Sequence, residues 1–164
     1  MKKIIILIAL AVSLFGGISK GDKAVDFNLQ TLDATKSYKL SSFKGEVVLL
    51  NLWASWCGGC KKEMPEFFKL QKEYKNGFKI ITVSIDKDCK DSIDFMSSVE
   101  KSTGYKIPFV SLYDPKKTLA RAYGARGMPS SYLIDKNGIV QLVMVGSLSH
   151  SDIAELKIEI DKLK

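Results

Sequence analysis

The chain has 164 residues, 46% of them hydrophobic and 26% charged, with a formal net charge of +7. That length holds one domain with a real core, and that balance excludes a disordered chain and a coiled coil. The lysines are scattered, with no basic stripe interleaved with aromatics, which argues against nucleic acid; weak attraction to acidic partners or anionic surfaces fits the surplus.

The chain opens with MKKIIILIALAVSLFGGIS, residues 1–19. Lys2 and Lys3 precede an apolar run from Ile4 to Phe15, broken only by Ser13. Gly17 and Ser19 then occupy the −3 and −1 positions of a possible cut before Lys20. This is the pattern of a secretory signal peptide. The run is shorter than the roughly 20 apolar residues of a standard membrane span. A retained N-terminal anchor is the alternative, and a buried first helix the plainer one. No cysteine directly follows the run, which excludes a lipid-modified cysteine. Residues 20–164 therefore form the domain. It is expected outside the cytoplasmic membrane, in the periplasm or on the membrane's outer face, where disulfides persist.

Short alternating pieces, Asp26–Leu29 and Ser37–Leu40, flank the turn-like Asp33-Ala34-Thr35-Lys36 and predict a small hairpin. Val47 to Trp53 is a nearly continuous apolar run, as in a strand buried on both faces. A helix is predicted from the cysteines onward, burying Met64, Phe67, Phe68 and Tyr74, kinked at Pro65 and ended by Asn76-Gly77. Phe78–Ile85 is the next buried strand. Asp91–Thr103 is a helix expected to turn Ile93, Met96 and Val99 inward. A strand over 109–113 and a helix over 116–123 follow. Ser130–Ile134 and Ile139–Gly146 are strands joined across Lys136-Asn137-Gly138. The last helix starts near Ser149 with a capping-box pattern and presents Ile153, Leu156, Ile160 and Leu163. Strands alternating with helices imply a parallel core, to which the late hairpin adds antiparallel strands.

The chemistry concentrates in WASWCGGCKKE, residues 53–63. Cys57 follows a buried strand and opens a helix; Cys60 comes one turn later. Unpartnered N–H groups and the helix dipole favour thiolate over thiol at such a position. In motifs of this kind the first cysteine's pKa falls to roughly 3.5–7.5 from about 8.5. Cysteines three apart on a first turn can close and reopen a disulfide without distorting the fold. A zinc site would need a second such pair, and His150 is the only histidine. A purely structural disulfide this tight would constrain little of the unfolded chain. Three cysteines is an odd count for a stapled scaffold. A redox pair is the leading reading, with metal ligands and a structural clasp as rivals. Cys89 reads as a spare thiol, with a third redox partner or a link to another chain as the sharper options.

WCGGC after a buried strand, Pro65 in the next helix, and Gly127-Met128-Pro129-Ser130 before a late strand resemble a thioredoxin-fold protein. More narrowly, residues 21–164 resemble the TlpA/ResA group of exported, membrane-associated thiol–disulfide oxidoreductases. The match runs through DFNL and SYKLSSFKGEVVLLNLWASWCGGCKKEMPEF. The resemblance implies an α/β thioredoxin-like fold: a central mixed sheet flanked by helices, with an N-terminal β-hairpin and an inserted helix. It implies Cys57 as an exposed nucleophile and Cys60 as the buried resolving thiol. It implies Pro129 as a cis-proline opposite the pair, with Met128 lending backbone hydrogen bonds to a substrate strand. Glu63 would move protons at the cysteines, and Asn51 stands where thioredoxins proper carry a buried aspartate. Trp56 is expected to edge the site and meet partners, and Trp53 to lie in the core. Glu63, Lys61 and Lys62 have a plainer reading as solvated helix residues. Two positions depart from the group: Gly59 replaces the usual proline before the second cysteine, and Val25 another proline before Asp26-Phe27.

The expected function is an exported reductase of disulfides in partner proteins, reset by a membrane thiol electron donor and serving cytochrome c maturation. No cofactor or metal is expected. The alternatives are a DsbA-like oxidant or isomerase and a non-catalytic thiol or copper chaperone. A peroxidase is disfavoured, because the segment at Cys57 lacks the threonine-containing motif and supporting arginine of peroxiredoxins.

Overall fold

A computed structural model describes residues 16–164. The apolar run assigned to a signal peptide or anchor therefore lies outside the described residues. None of the described helices is long and apolar enough to cross a membrane.

The core strand is β3, Val47–Trp53, with every residue buried. Its nearly continuous apolar run needs cover on both faces, and the fold supplies it. Parallel β4 (Phe78–Ser84) lies on one side, followed by parallel β5 (Val110–Tyr113). Antiparallel β6 (Ser130–Ile134) lies on the other, followed by β7 (Val140–Val145), giving the order β5-β4-β3-β6-β7. The N-terminal hairpin pairs β1 (Asn28–Gln30) with β2 (Ser37–Lys39) and bridges to edge strand β5 through Thr31 and Leu112.

Helix α1 spans Gly58–Glu73 and runs past Pro65 without interruption, burying Met64, Phe67 and Phe68. The buried Gln71 amide closes its exit. The side chain donates to the Tyr74 and Phe78 carbonyls at 3.1 and 3.3 Å and accepts from Ile80 N at 2.8 Å. Those backbone groups would otherwise be orphaned where helix meets strand. Helix α2 (Cys89–Thr103) starts on an Asp88 cap and ends at left-handed Gly104. It buries Ser92, Phe95, Met96 and Val99. Ile93 is 42% exposed, against the expectation that it faces inward. The inward position goes to Phe95, whose ring stacks on Trp53 at 4.7 Å, and this rotates Ile93 toward the rim. Short α3 (Thr118–Ala122) hangs on the Asp114 carboxylate, which accepts from Thr118 N and Leu119 N. In α4 (His150–Leu163) Ser149 and Asp152 form the expected capping box, Leu156 and Ile160 are fully buried, and Ile153 and Leu163 pack at the margin.

Candidate active site

Strand β3 ends at Trp53, and four residues later the chain turns into α1 with Cys57 as its N-cap. Cys57 and Cys60 are joined as a disulfide, with Cα atoms 5.3 Å apart. The Cys60 amide donates to Cys57 Sγ at 3.1 Å, so one free N–H of the helix end already points at that sulfur. The first turn carries no acidic residue, and Lys61 and Lys62 are exposed just beyond. All of this favours negative charge on Cys57 once the bond opens. Cys57 is less exposed than expected, at 6%, against 0% for Cys60. In the disulfide its sulfur turns inward to its partner and to the Cys60 amide.

Trp56 is 68% exposed and forms the apolar rim, while Trp53 is buried. The Met128–Pro129 peptide bond is cis, as expected. Pro129 is buried and Met128 half-buried. Gly59 packs closely against this loop and the next. A Cβ there would stand 2.0 Å from Ser147 Oγ and 3.4 Å from Pro129 Cδ. The glycine in place of proline is thus matched to a serine across the site.

Glu63 is one turn beyond Cys60 on the same helix face and is 2% exposed, not solvated. Asn51 of β3 donates to its Oε1 at 2.8 Å and also reaches Ser131 Oγ at 2.9 Å. Glu63 Oε2 and Asn51 Oδ1 are buried without a hydrogen-bond partner. Burial raises the Glu63 carboxyl to about 7, opposed by the Asn51 amide and more weakly by the Leu148 N–H. A carboxyl that exchanges its proton near neutral pH is suited to general acid–base work.

Asp86, which sequence reasoning passed over, lies under the cysteine loop. Its carboxylate accepts from Ser55 N at 3.0 and 3.1 Å, Ser55 Oγ at 3.1 Å, Ser84 Oγ at 3.0 Å and Ser92 Oγ at 2.9 Å. It clamps the loop before Cys57 to the ends of β4 and α2. The only sequence signal was a carboxylate directly after a buried strand. Cys89 is half-buried, donates to the Leu32 carbonyl at 3.2 Å, and has its thiol pushed up by burial and by Asp88 and Asp86. Those surroundings oppose a thiolate, in contrast to Cys57. Among the described residues, no cluster of three or more His, Cys, Asp or Glu side chains is gathered for a metal ion.

A disulfide at a helix mouth, a cis-proline loop and a buried acid on that helix, packed on a mixed sheet, define a thioredoxin-fold thiol–disulfide oxidoreductase. The comparisons agree. The chain belongs to the AhpC/TSA family, whose model matches residues 20–143. It is 35% identical over 152 residues to the thioredoxin-like protein YneN of Bacillus subtilis, covering 88% of this chain and 82% of that one. It is 31% identical over 140 residues to the thiol-disulfide oxidoreductase ResA of Geobacillus thermodenitrificans, covering 84% and 76%. Among solved structures, a Chlorobium tepidum protein assigned as the thiol:disulfide interchange protein DsbE superposes with a TM-score of 0.79 at 38% identity, covering 89% and 98%. The exposed lipoprotein thioredoxin of Streptococcus pneumoniae gives 0.65 at 30% identity, covering 82% and 99%.

Proposed function

We propose that this oxidoreductase works outside the cytoplasmic membrane as a reductase of disulfides in partner proteins, apocytochrome c among the candidates. The observation that carries the exchange chemistry is the Cys57–Cys60 disulfide at the mouth of α1 with the buried Glu63 one turn further on; its direction is set by the reduction potential measured below. Glu63 provides a local base for the resolving thiol, which must lose its proton before it can release a reduced partner. The signal-like residues 1–19 and the lipoprotein character of the pneumococcal neighbour support export.

In the reduced enzyme the Cys57 thiolate attacks one sulfur of the partner disulfide. The partner's S–S bond breaks, and its other sulfur leaves as a thiolate that takes up a proton. Trp56 and the Met128–Pro129 loop flank the mixed disulfide, Met128 offering its backbone to the partner strand. Cys60 gives its proton through water to the Glu63 carboxylate and attacks Cys57 Sγ. The mixed disulfide breaks, its departing sulfur takes up a second proton from water, the partner leaves with two electrons and two protons gained, and Cys57–Cys60 is oxidised. A membrane thiol donor then restores the dithiol by the same exchange in reverse.

Two measurements test this. Equilibration with a glutathione series gives the reduction potential: a value well below that of glutathione is expected, and one near the DsbA range of roughly −120 mV overturns the reductase in favour of the oxidant. Cys60→Ala is expected to trap partner proteins covalently on Cys57, and Cys57→Ser to trap none. Equal trapping by both variants removes Cys57 as the nucleophile.

A further inference from the structure

The residues that follow the N-terminal apolar run are built into the domain. Ile18 N donates to the Tyr123 carbonyl at 3.1 Å, and its side chain packs on the core. Gly17 meets Gly124 backbone to backbone. A Cβ on Gly17 would stand 2.8 Å from Tyr123 O and 2.9 Å from Gly124 Cα, and one on Gly124 would stand 2.2 Å from Gly17 Cα. Gly124 also has φ +63°, so glycine serves it twice over. The seam continues with Gly21 N to Val140 O at 2.7 Å and Val140 N to Asp22 O at 2.9 Å. A cut before Lys20 would strip the first half of this seam and leave Gly124 without the partner it is shaped for.

The chain leaves the domain beside a basic groove. Gly16 and Gly17 border it together with Lys117, Arg121 and Arg126. All three cations are exposed, and none joins an ion pair among the described residues. No carboxylate lines the groove. Met128, next to the cis-proline, also borders it. An apolar segment too short for a standard span holds a membrane weakly, and a basic patch is the second signal that makes attachment stable. Each cation close to an anionic surface adds roughly a fivefold preference for it.

We propose that residues 16–19 stay on the domain and that Lys117, Arg121 and Arg126 rest on anionic phospholipid headgroups, with Ile4–Phe15 supplying the hydrophobic attachment. This rests on the export reading above and gives it a geometry. The groove turns the Met128 edge of the active site toward the bilayer, where a membrane thiol donor operates.

The test uses the full chain. Its N-terminus is read by mass spectrometry from the membrane fraction of an expressing bacterium. The purified protein is then placed in vesicles of phosphatidylcholine alone or mixed with phosphatidylglycerol. Acylation of Lys117 is followed relative to the chain's other lysines. The expected results are a chain that still carries residues 16–19 and a Lys117 acylation slowed at least fivefold in anionic vesicles only. The protection should disappear in high salt and in Arg121→Glu/Arg126→Glu, whose insulin reduction in detergent should match the parent. A chain starting at Lys20, or equal Lys117 reactivity in both vesicles, overturns the proposal. Protection that appears only on adding an acidic protein also overturns it and reassigns the face to a protein partner. Recovery of the intact chain from the cytosol overturns the export on which it rests. Failed insulin reduction with lipid-dependent protection intact removes the reductase and leaves the membrane face standing.

Discussion

Glu63 is a carboxyl group placed where ionisation is costly, with a single side-chain hydrogen bond to hold it. With its carboxyl near 7 it is about half ionised at neutral pH, and it stands one turn from the thiol that must be deprotonated. The resolving step should therefore speed up as pH rises through about 7, in parallel with Glu63 ionisation. Glu63→Gln keeps the shape and removes the base. Its resolving rate should fall on the order of a hundredfold at pH 7.5, the low end of general-base contributions, and its profile should lose the inflection near 7. Stopped-flow reduction of a peptide disulfide across pH 5 to 9 gives both numbers. Superimposable profiles for the two proteins would mean that Glu63 moves no proton. The sequence alone left this residue between a solvated carboxylate and a proton carrier. What separates the two is burial against Asn51, twelve residues upstream on a different element, and no helical pattern records that contact.

Where elements meet, two junctions decide the geometry of the disulfide. At the first, α1 approaches the loop after β7 so closely that Gly59 has no room for a side chain unless Ser147 yields. Gly59→Ala should cost about 1–2 kcal/mol, as overpacking does. Ser147 meets the new methyl with a rotatable hydroxyl, so Ser147→Gly in the same chain should recover most of the loss. Urea unfolding of the four oxidised proteins closes the cycle, and additive effects would disprove the contact. At the second junction the Asp86 carboxylate satisfies a backbone amide and three serine hydroxyls from three segments. Asp86→Ala removes the acceptor of the half-buried Ser55 amide and hydroxyl and leaves one of the Ser84 and Ser92 hydroxyls, which can still bond each other, without a partner. A loss of about 2–4 kcal/mol is expected, together with slower attack by Cys57, because the preceding loop is no longer held. A variant within 0.5 kcal/mol of the parent would show that water replaces the carboxylate there. Neither junction was legible in the sequence. Gly59 appeared only as a departure from proline, and Ser55, Ser84 and Ser92 carry no pattern until the fold assembles them.

Across the whole molecule, the order of strands and helices was legible because each announces itself locally. Val47–Trp53 is apolar but for Asn51 and becomes the central strand, and Lys136-Asn137-Gly138 becomes the turn joining β6 to β7. Facing was less legible: Ile93 and Phe95 are both apolar on α2, and only the Trp53 ring decides which goes inward. The buried acid that α1 packs against the central strand also sets how stability varies with pH. In the unfolded chain Glu63 ionises near its ordinary 4.5; in the folded domain burial holds it to about 7. Between those values the folded state keeps a proton that the unfolded state has lost. Stability must therefore fall as pH rises from 4.5 to 7, and this contribution levels off above 7. The interval corresponds to a loss of about 3 kcal/mol. Asp33, held near 2 by Thr31 and Thr35, acts in the opposite sense and only at more acid pH, so it leaves this window untouched. Denaturant unfolding of the oxidised domain at pH 5 and pH 8 should show the decline. In Glu63→Gln the part due to this carboxyl should vanish, narrowing the gap between the two pH values by about that amount and leaving the variant the more stable protein at pH 8. An unchanged gap in the variant would mean that Glu63 ionises at its ordinary pH in the fold, and the proton-transfer role argued for it would fall with that result.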